Sequence, residues 1–404
     1  MRILFLHQNF PGQFQHLARA LVRRGDQVAA LCVENRPVPE GVRVIRYRPR
    51  RSSSPNIHPW AVGTETKLIR GQASFLVMRE MQKRGYCPDI IVAHPGWGEA
   101  LFAKDVWPNV PLLSYFEFYY QPGGLDAGFD PEFPEDPNEL PGIRTKNFVN
   151  LMSLESCDAG IAPTHWQKSI HPRAYRDKIR VIHDGIDTDM AAPDRTALVD
   201  LPDIGLHFGA GDEIVTFVNR NLEPYRGYHI FMRALPEILR RRPKAHVLIV
   251  GGGGVSYGAP PKEGSWRDIF FAEVKAELDL GRVHFMGRIP YTEYIRLLQV
   301  SAVHVYLSYP FVLSWSLLEA MSAGTLVVAS ATPPVREVVA HGENGLLVDF
   351  FSPAALAEQI VAALDAPEDF AQLRREARRT IVERYDLQRI CLPQQIAAVD
   401  ELRR

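Results

Sequence analysis

The sequence predicts an α/β protein built from two doubly wound domains. Short apolar strands alternate with amphipathic helices through both halves. At 404 residues the chain exceeds what one ordinary core holds. Residues 190–212 carry no sustained period and separate the two alternating stretches.

Residues 2–7 read as an apolar strand, Pro11 and Gly12 as the loop after it, and residues 14–24 as a helix that Gly25 stops. Residues 28–33 form the next strand, completing the strand–loop–helix–strand unit of a parallel sheet. Strands at 42–47, 90–93, 111–115, 159–161 and 181–183 extend it. The second half places strands at 214–218, 246–250, 283–286, 303–307, 325–329 and 345–348. Helices fall near 229–240, 267–279, 291–299, 315–323 and 353–365. From about residue 367 the chain reads as helix, broken near 385–386 and again at Pro393. The basic stretch 48–56 and the acidic, proline-rich stretch 121–142 read as surface loops. The expected organisation is a first domain over 1–195, a linker over 196–212, a second domain over 213–375, and C-terminal helices over 376–404 packing back toward the first domain. In such sheets ligands sit beyond the carboxyl ends of the strands, so a site between the domains is expected.

Lys and Arg number 46 against 47 Asp and Glu, a balance that argues against nucleic acid as a partner while leaving room for a local basic patch that meets one diphosphate. Cys32, Cys87, Cys157 and Cys391 are far apart, with no paired spacing for zinc or a disulfide scaffold, and no metal site is expected. The first apolar run is too short for a signal peptide, and no stretch approaches bilayer length. The expected location is cytoplasmic.

Two segments carry chemistry. Strand 214–218 is followed by Arg220 and then by Arg226-Gly227 at the start of a helix. Two guanidiniums beside a helix N-terminus suit a diphosphate; the same spacing also suits surface ion pairs with carboxylates such as Glu223. The second segment runs from Ser314 to Glu319 in the helix stopped by Gly324. A carboxylate there suits ribose hydroxyls, while Ser316-x-x-Glu319 equally fits a capping box.

These segments, in this order, resemble the family 4 retaining glycosyltransferases (glycosyl transferases group 1). Arg220 and Arg226-Gly227 match that family's Arg and Lys-Gly positions, with Arg226 in place of Lys. Val-Ile-His-Asp-Gly-Ile-Asp at 181–187 is similar to its Val-Ile-Pro-Asn-Gly-Ile-Asp element. Residues 13–25, 162–167, 332–339 and 342–349 resemble further family elements, so the likeness spans nearly the whole chain. It implies the GT-B fold, two Rossmann-like domains facing each other across a cleft. It implies that Arg220 and Arg226 bind the donor diphosphate and steady its departure, that Glu319 holds the ribose, that backbone around Arg288 and Ile289 reads the base, and that Gly12 approaches the phosphates. His94, after a strand end, contacts donor sugar or acceptor, or only makes a backbone bond.

Two departures stand out. Phe311 replaces the first carboxylate of the family's paired-Glu motif, leaving the sugar to backbone near 312–316, Ser314, Trp315 and Ser316. Glu117 stands near where many members carry His; it either takes a proton from the acceptor, hydrogen-bonds a sugar, or pairs with an arginine. Trp97, Tyr119 and Tyr120 are candidates for a sugar-stacking wall on the acceptor side, and each suits core packing as well. The resemblance implies a retaining, metal-independent hexosyltransferase that needs no cofactor, the nucleotide diphosphate-sugar being its substrate. The acceptor is a saccharide or lipid-linked saccharide in cell-surface polysaccharide or glycolipid assembly, with peripheral contact at the inner face of the membrane. The oligomeric state is left open. A sugar-nucleotide epimerase of the same fold and a lapsed, binding-only relative are the competing readings.

Overall fold

The computed structural model describes residues 1–202 and 205–403. They form two compact units, Met1–Gly185 with Gln388–Arg404, and Ile186–Leu387.

The first unit holds seven strands: β1 (Arg2–Leu6), β2 (Gln27–Cys32), β3 (Arg43–Arg46), β4 (Ile90–Ala93), β5 (Leu112–Tyr115), β6 (Ala159–Ala162) and β7 (Ile179–Val181). All pair in parallel, in the order β3-β2-β1-β4-β5-β6-β7. A parallel sheet is covered on both faces, which is why Ile3, Leu4, Phe5 and Leu6 are all fully buried. Each such side chain contributes roughly 1.5–3 kcal/mol. The helices are α1 (Gln15–Arg23), α2 (Val62–Lys83), α3 (Ala103–Val106), α4 (Leu140–Thr145), α5 (Phe148–Ser156) and α6 (His165–Ser169). Strand β7 ends two residues earlier than the apolar run at 181–183 suggests. The 22-residue α2 has no counterpart in the periodicity reading. Its buried residues are Ile69, Gly71, Ser74 and Met78, while Leu68 and Leu76 face outward, so no apolar stripe announces it.

In the second unit β8 (Leu198–Leu201) and β9 (Leu206–Gly209) form an antiparallel hairpin. This corrects the linker expected at 196–212, apart from residues 203 and 204, which lie outside the described residues. Val199 and Phe208 alternate inward and join a core cluster with Leu248, Val250 and Leu297, so the hairpin belongs to this unit. Four-residue strands are too short to stand out as a period. The main sheet contains β10 (Ile214–Asn221), β11 (His246–Gly252), β12 (Val283–Gly287), β13 (Val303–Tyr306), β14 (Leu326–Ser330) and β15 (Leu346–Val348). Its order is β12-β11-β10-β13-β14-β15, again all parallel. Helices α7 (Tyr228–Arg241), α8 (Trp266–Val274), α9 (Tyr291–Val300), α10 (Trp315–Ser322), α11 (Pro333–Arg336), α12 (Pro353–Asp365) and α13 (Ala371–Arg384) complete it.

The C-terminal segment divides where the sequence suggests one block. Ala377 and Ile381 bury α13 in the core of the second unit, and the chain enters the first unit only at Gln388. There α14 (Leu392–Glu401) packs with α1, and Arg24 Nη1 donates to both carboxylate oxygens of Asp400 at 2.9 and 2.8 Å. Gln395 donates to the carbonyls of His183 and Asp184 at 3.0 and 3.2 Å. Pro393 lies in the first turn of α14, directly after the π-helical turn Leu387–Cys391, at the point where the helical winding changes. Among the described residues no helix is long and apolar enough to cross a membrane.

Candidate active site

Strand order in the second unit reverses between β10 and β13, so the loops after those strands flank a topological switch point. The β10–β11 register slips between Val218 and Asn221. Arg220, within the slip, is exposed and its side chain has no hydrogen-bond or ion-pair partner among the described residues. Arg226 ends the single turn Pro224–Arg226 and is only 5% exposed. Gly227 makes that burial possible: its φ is +65°, and a Cβ there would lie 2.3 Å from Cβ of Leu307. Only glycine lets the turn lie this close to the end of β13.

The Arg226 Nη1 donates to the Tyr306 hydroxyl at 3.2 Å, the Ser308 hydroxyl at 2.9 Å and the Val312 carbonyl at 3.1 Å. The rings of Tyr257 and Phe311 lie 5.0 and 5.9 Å from its guanidinium carbon. Among the described residues no carboxylate comes within ion-pair distance of it. Glu223 is not that partner: it is buried and accepts the amides of Ser256 and Tyr257 at 3.0–3.3 Å. Burial disfavours the Arg226 charge, but the Tyr306 and Tyr257 phenols and the more distant Glu223 outweigh it and raise its pKa. Phe311 occupies the place of the expected first carboxylate. It is buried against Tyr225 and Tyr257, with ring centroids at 5.7 and 4.8 Å, and lies over Arg226.

Helix α10 begins beside this arginine. Ser314 is its N-cap, accepting the Ser316 amide at 3.4 Å, and the Ser314 amide donates to the same Tyr306 hydroxyl at 2.9 Å. Glu319 makes no capping box. It lies past the first turn, 6% exposed, and its two oxygens accept the Tyr291 and Tyr294 hydroxyls from α9 at 2.7 Å each. Burial pushes its pKa up against those hydrogen bonds. Each oxygen keeps acceptor capacity for a further hydroxyl. Ser316 is buried and its hydroxyl is 3.0 Å from that of Ser314, while Trp315 is exposed. Arg288, after β12, is exposed beside Gly252, and Ile289 packs half-buried against the core.

The first unit switches between β1 and β4. His7 directly follows β1, His94 follows β4, and Glu117 stands two residues after β5. These residues form one network through Gln13. His7 is 1% exposed; its Nδ1 accepts the Asn9 amide at 3.0 Å, so Nε2 carries the proton and donates to Gln13 Oε1 at 3.0 Å. Gln13 Nε2 then donates to Glu117 Oε1 at 3.1 Å. His94 Nδ1 accepts the Gly96 amide at 3.1 Å, leaving Nε2 3.5 Å from Glu117 Oε2. Burial drives the His7 pKa down to about 3. Burial alone would raise the Glu117 carboxyl; His94, then Gln13 and His7, overcome it and hold it below the usual carboxylate range. Glu117 therefore pairs with histidine and glutamine, not with arginine. Gly12, at φ +48°, faces the His7 ring; a Cβ would lie 2.5 Å from it.

Trp97 stacks on His94 with centroids 4.3 Å apart and also meets His7 at 4.8 Å. Tyr119 lies beside His171, and Tyr120 lies against Phe118 and beneath Lys146. Trp97 thus packs on the strand-end histidines, while Tyr119 and Tyr120 meet other side chains. Sequence reasoning missed His7, Gln13, Tyr291, Tyr294 and Tyr306. His7 and Tyr306 stand at the ends of strands flanking a switch point, a position legible once strand order is known; nothing local marks the other three.

Residues 24–191 match the family model described as glycosyl transferase family 4 group, and residues 206–380 match that of glycosyl transferases group 1. The chain is 29% identical over 209 residues to D-inositol 3-phosphate glycosyltransferase of Corynebacterium efficiens, covering 51% of this chain and 47% of that one. It is 32% identical over 212 residues to the enzyme of that name from Nocardia farcinica, covering 52% and 44%. The chain thus spans about half the length of the curated relatives it matches. Among solved structures, sucrose-phosphate synthase from Thermosynechococcus elongatus superposes with a TM-score of 0.74 at 20% identity, covering 99% of this chain and 98% of that one. Anabaena HepE in complex with UDP and glucose gives 0.65 at 18% identity, covering 99% of both. The fold is GT-B.

Proposed function

Since the chain belongs to the group 1 glycosyltransferases of family 4, we propose that it transfers a sugar, with retention, from a nucleotide diphosphate-sugar to an acceptor hydroxyl. One observation carries this reading: Arg226 is a buried cation without a carboxylate partner, one hydroxyl away from the N-terminus of α10. A diphosphate would supply the missing negative charge and accept amide hydrogens of the helix start. Arg220 is an exposed second cation at the same strand end. Glu319 would accept ribose hydroxyls beside its two tyrosines. Backbone near Arg288 and Ile289 would read the base, and Gly12 would lie near the phosphates. HepE, a structural neighbour, has been seen with UDP-glucose, which makes UDP-glucose the first donor to test.

In the proposed step the bond from the anomeric carbon to the leaving phosphate oxygen breaks. The bond to the acceptor oxygen forms on the same face, and the acceptor proton passes to the leaving phosphate. Arg220 and Arg226 stabilise the charge of the nucleotide diphosphate without a metal. Glu117, held ionised by its partners, is a weak base, so it serves as a hydrogen-bond acceptor that orients a hydroxyl together with His94. Trp97, stacked on His94, would add an apolar face for a sugar ring. The acceptor is a saccharide or lipid-linked saccharide of cell-surface polysaccharide or glycolipid assembly, met on the cytoplasmic side.

Calorimetry with nucleoside diphosphates, joined to a turnover screen of donors and acceptors, tests the reading. Donor-dependent transfer with retained configuration supports it. Tight binding with no turnover over a broad screen would make the protein a binding-only relative, and conversion of free donor would make it an epimerase.

A further inference from the structure

Helix α2 borders an apolar trough on the first unit that the transfer chemistry does not use. It consists of two adjoining cavities of about 560 and 210 Å³, both lined by Arg51, Ile69 and Gln72. Leu68, Phe75 and Phe102 wall the larger, and Leu76 and Val77 the smaller, where Arg48 and Arg50 also stand. The apolar walls are open: Leu68 is 37% and Leu76 48% exposed. The charges are unequal along the length. Arg51 is bound by Glu65 at 2.8 Å, and Glu65 also accepts the Ser54 amide at 2.7 Å, so that pair is satisfied. Arg48 and Arg50 are exposed and have no ion-pair partner among the described residues. Asp105 lines only the larger cavity.

We infer that this trough binds a lipid phosphate: one hydrocarbon chain lying over Leu76, Ile69, Phe75 and Phe102, with its phosphate on Arg48 and Arg50. Two uncompensated guanidiniums at one end of an apolar channel match such a head and tail in both charge and polarity. Binding is measured without any nucleotide, so its failure leaves the transfer reading untouched, and the reverse.

The test titrates the full chain with decyl phosphate, hexyl phosphate, 1-decanol and inorganic phosphate by calorimetry. Decyl phosphate is expected to bind more tightly than hexyl phosphate by about fourfold for each methylene buried. Inorganic phosphate is expected to give no measurable heat. The double variant Arg48→Glu/Arg50→Glu should weaken decyl phosphate about tenfold or more while leaving 1-decanol unchanged. Leu76→Glu, at an exposed position that leaves the fold intact, should weaken both decyl ligands. Equal affinity for the two alkyl phosphates, inorganic phosphate binding as well as decyl phosphate, or an unchanged decyl phosphate affinity in either variant overturns the inference.

Discussion

The Arg226 guanidinium and the Tyr306 hydroxyl are joined by a 3.2 Å hydrogen bond, and the same hydroxyl receives the Ser314 amide that leads into α10. One phenol thereby ties the loop after β10 to the loop after β13, across the point where strand order reverses. Phe311 completes the arrangement. Where the family's paired-carboxylate motif has its first Glu, this chain lays an apolar ring over the buried cation. A carboxylate there would neutralise Arg226 internally, whereas the ring leaves its charge for a ligand.

Arg226→Lys keeps the charge and loses the planar fork. Affinity for a nucleoside diphosphate should fall roughly 10–100-fold by calorimetry, the equivalent of one charge-assisted hydrogen bond. Arg220→Ala should weaken the same ligand without moving the melting temperature, because the side chain is exposed and unpartnered. Unchanged affinity in both variants would remove the diphosphate site.

Glu319→Gln separates binding from stability. Burial raises the folded-state pKa of Glu319, so the folded protein holds this proton more readily than the unfolded chain and ionisation at neutral pH works against folding. The amide variant should melt no lower than wild type at pH 7, yet lose nucleotide affinity and turnover. The difference in melting temperature should shrink as pH falls through the raised pKa. A variant that melts much lower, or that binds nucleotide as wild type does, contradicts the assignment.

Glu117→Gln should behave in the opposite sense. Its folded pKa is depressed, so its contribution is present above the unfolded carboxylate value and is lost as pH falls through the folded value. The variant should be less stable than wild type at pH 7 and should converge with it in acid. Partial exposure limits the size of the effect. Gln13→Ala should reproduce part of the loss, since Gln13 carries the link to His7. Melting curves across pH check both.

Acid should unfold the first unit through its buried histidines. His7 falls from 6.5 to about 3 on burial, and His171 and His183 fall to about 4. The unfolded chain takes up these protons first, so stability is full above pH 6.5 and declines as pH drops toward the folded values. Each group contributes a slope of up to about 1.4 kcal/mol per pH unit in that window. His7→Gln should flatten the decline in denaturant titrations at successive pH values; an unaltered slope would show that His7 already takes up its proton in the folded state.

Much of this architecture was legible from local pattern. The apolar runs that became β1, β4, β10 and β13 are buried on both faces in a parallel sheet, so each announces itself without its neighbours. Helix α1, with Leu17, Ala18 and Leu21 inward and Gly25 behind it, is equally local. What escaped was whatever depends on a partner distant in sequence. The β8–β9 hairpin is defined by packing on Leu248 and Leu297, and α2 buries Ile69, Gly71, Ser74 and Met78 without an apolar stripe. The candidate site divides the same way. The sequence alone placed two cations, a carboxylate and the single strand-end histidine His94 near strand ends and helix starts, because these are written in neighbouring residues. Only the tertiary structure decided that Glu223 serves amides rather than Arg226, that Glu319 rests between two tyrosines, and that His7 reaches Glu117 through Gln13. Hydrogen bonds and burial act through space, between residues that folding brings together from separate strands and helices.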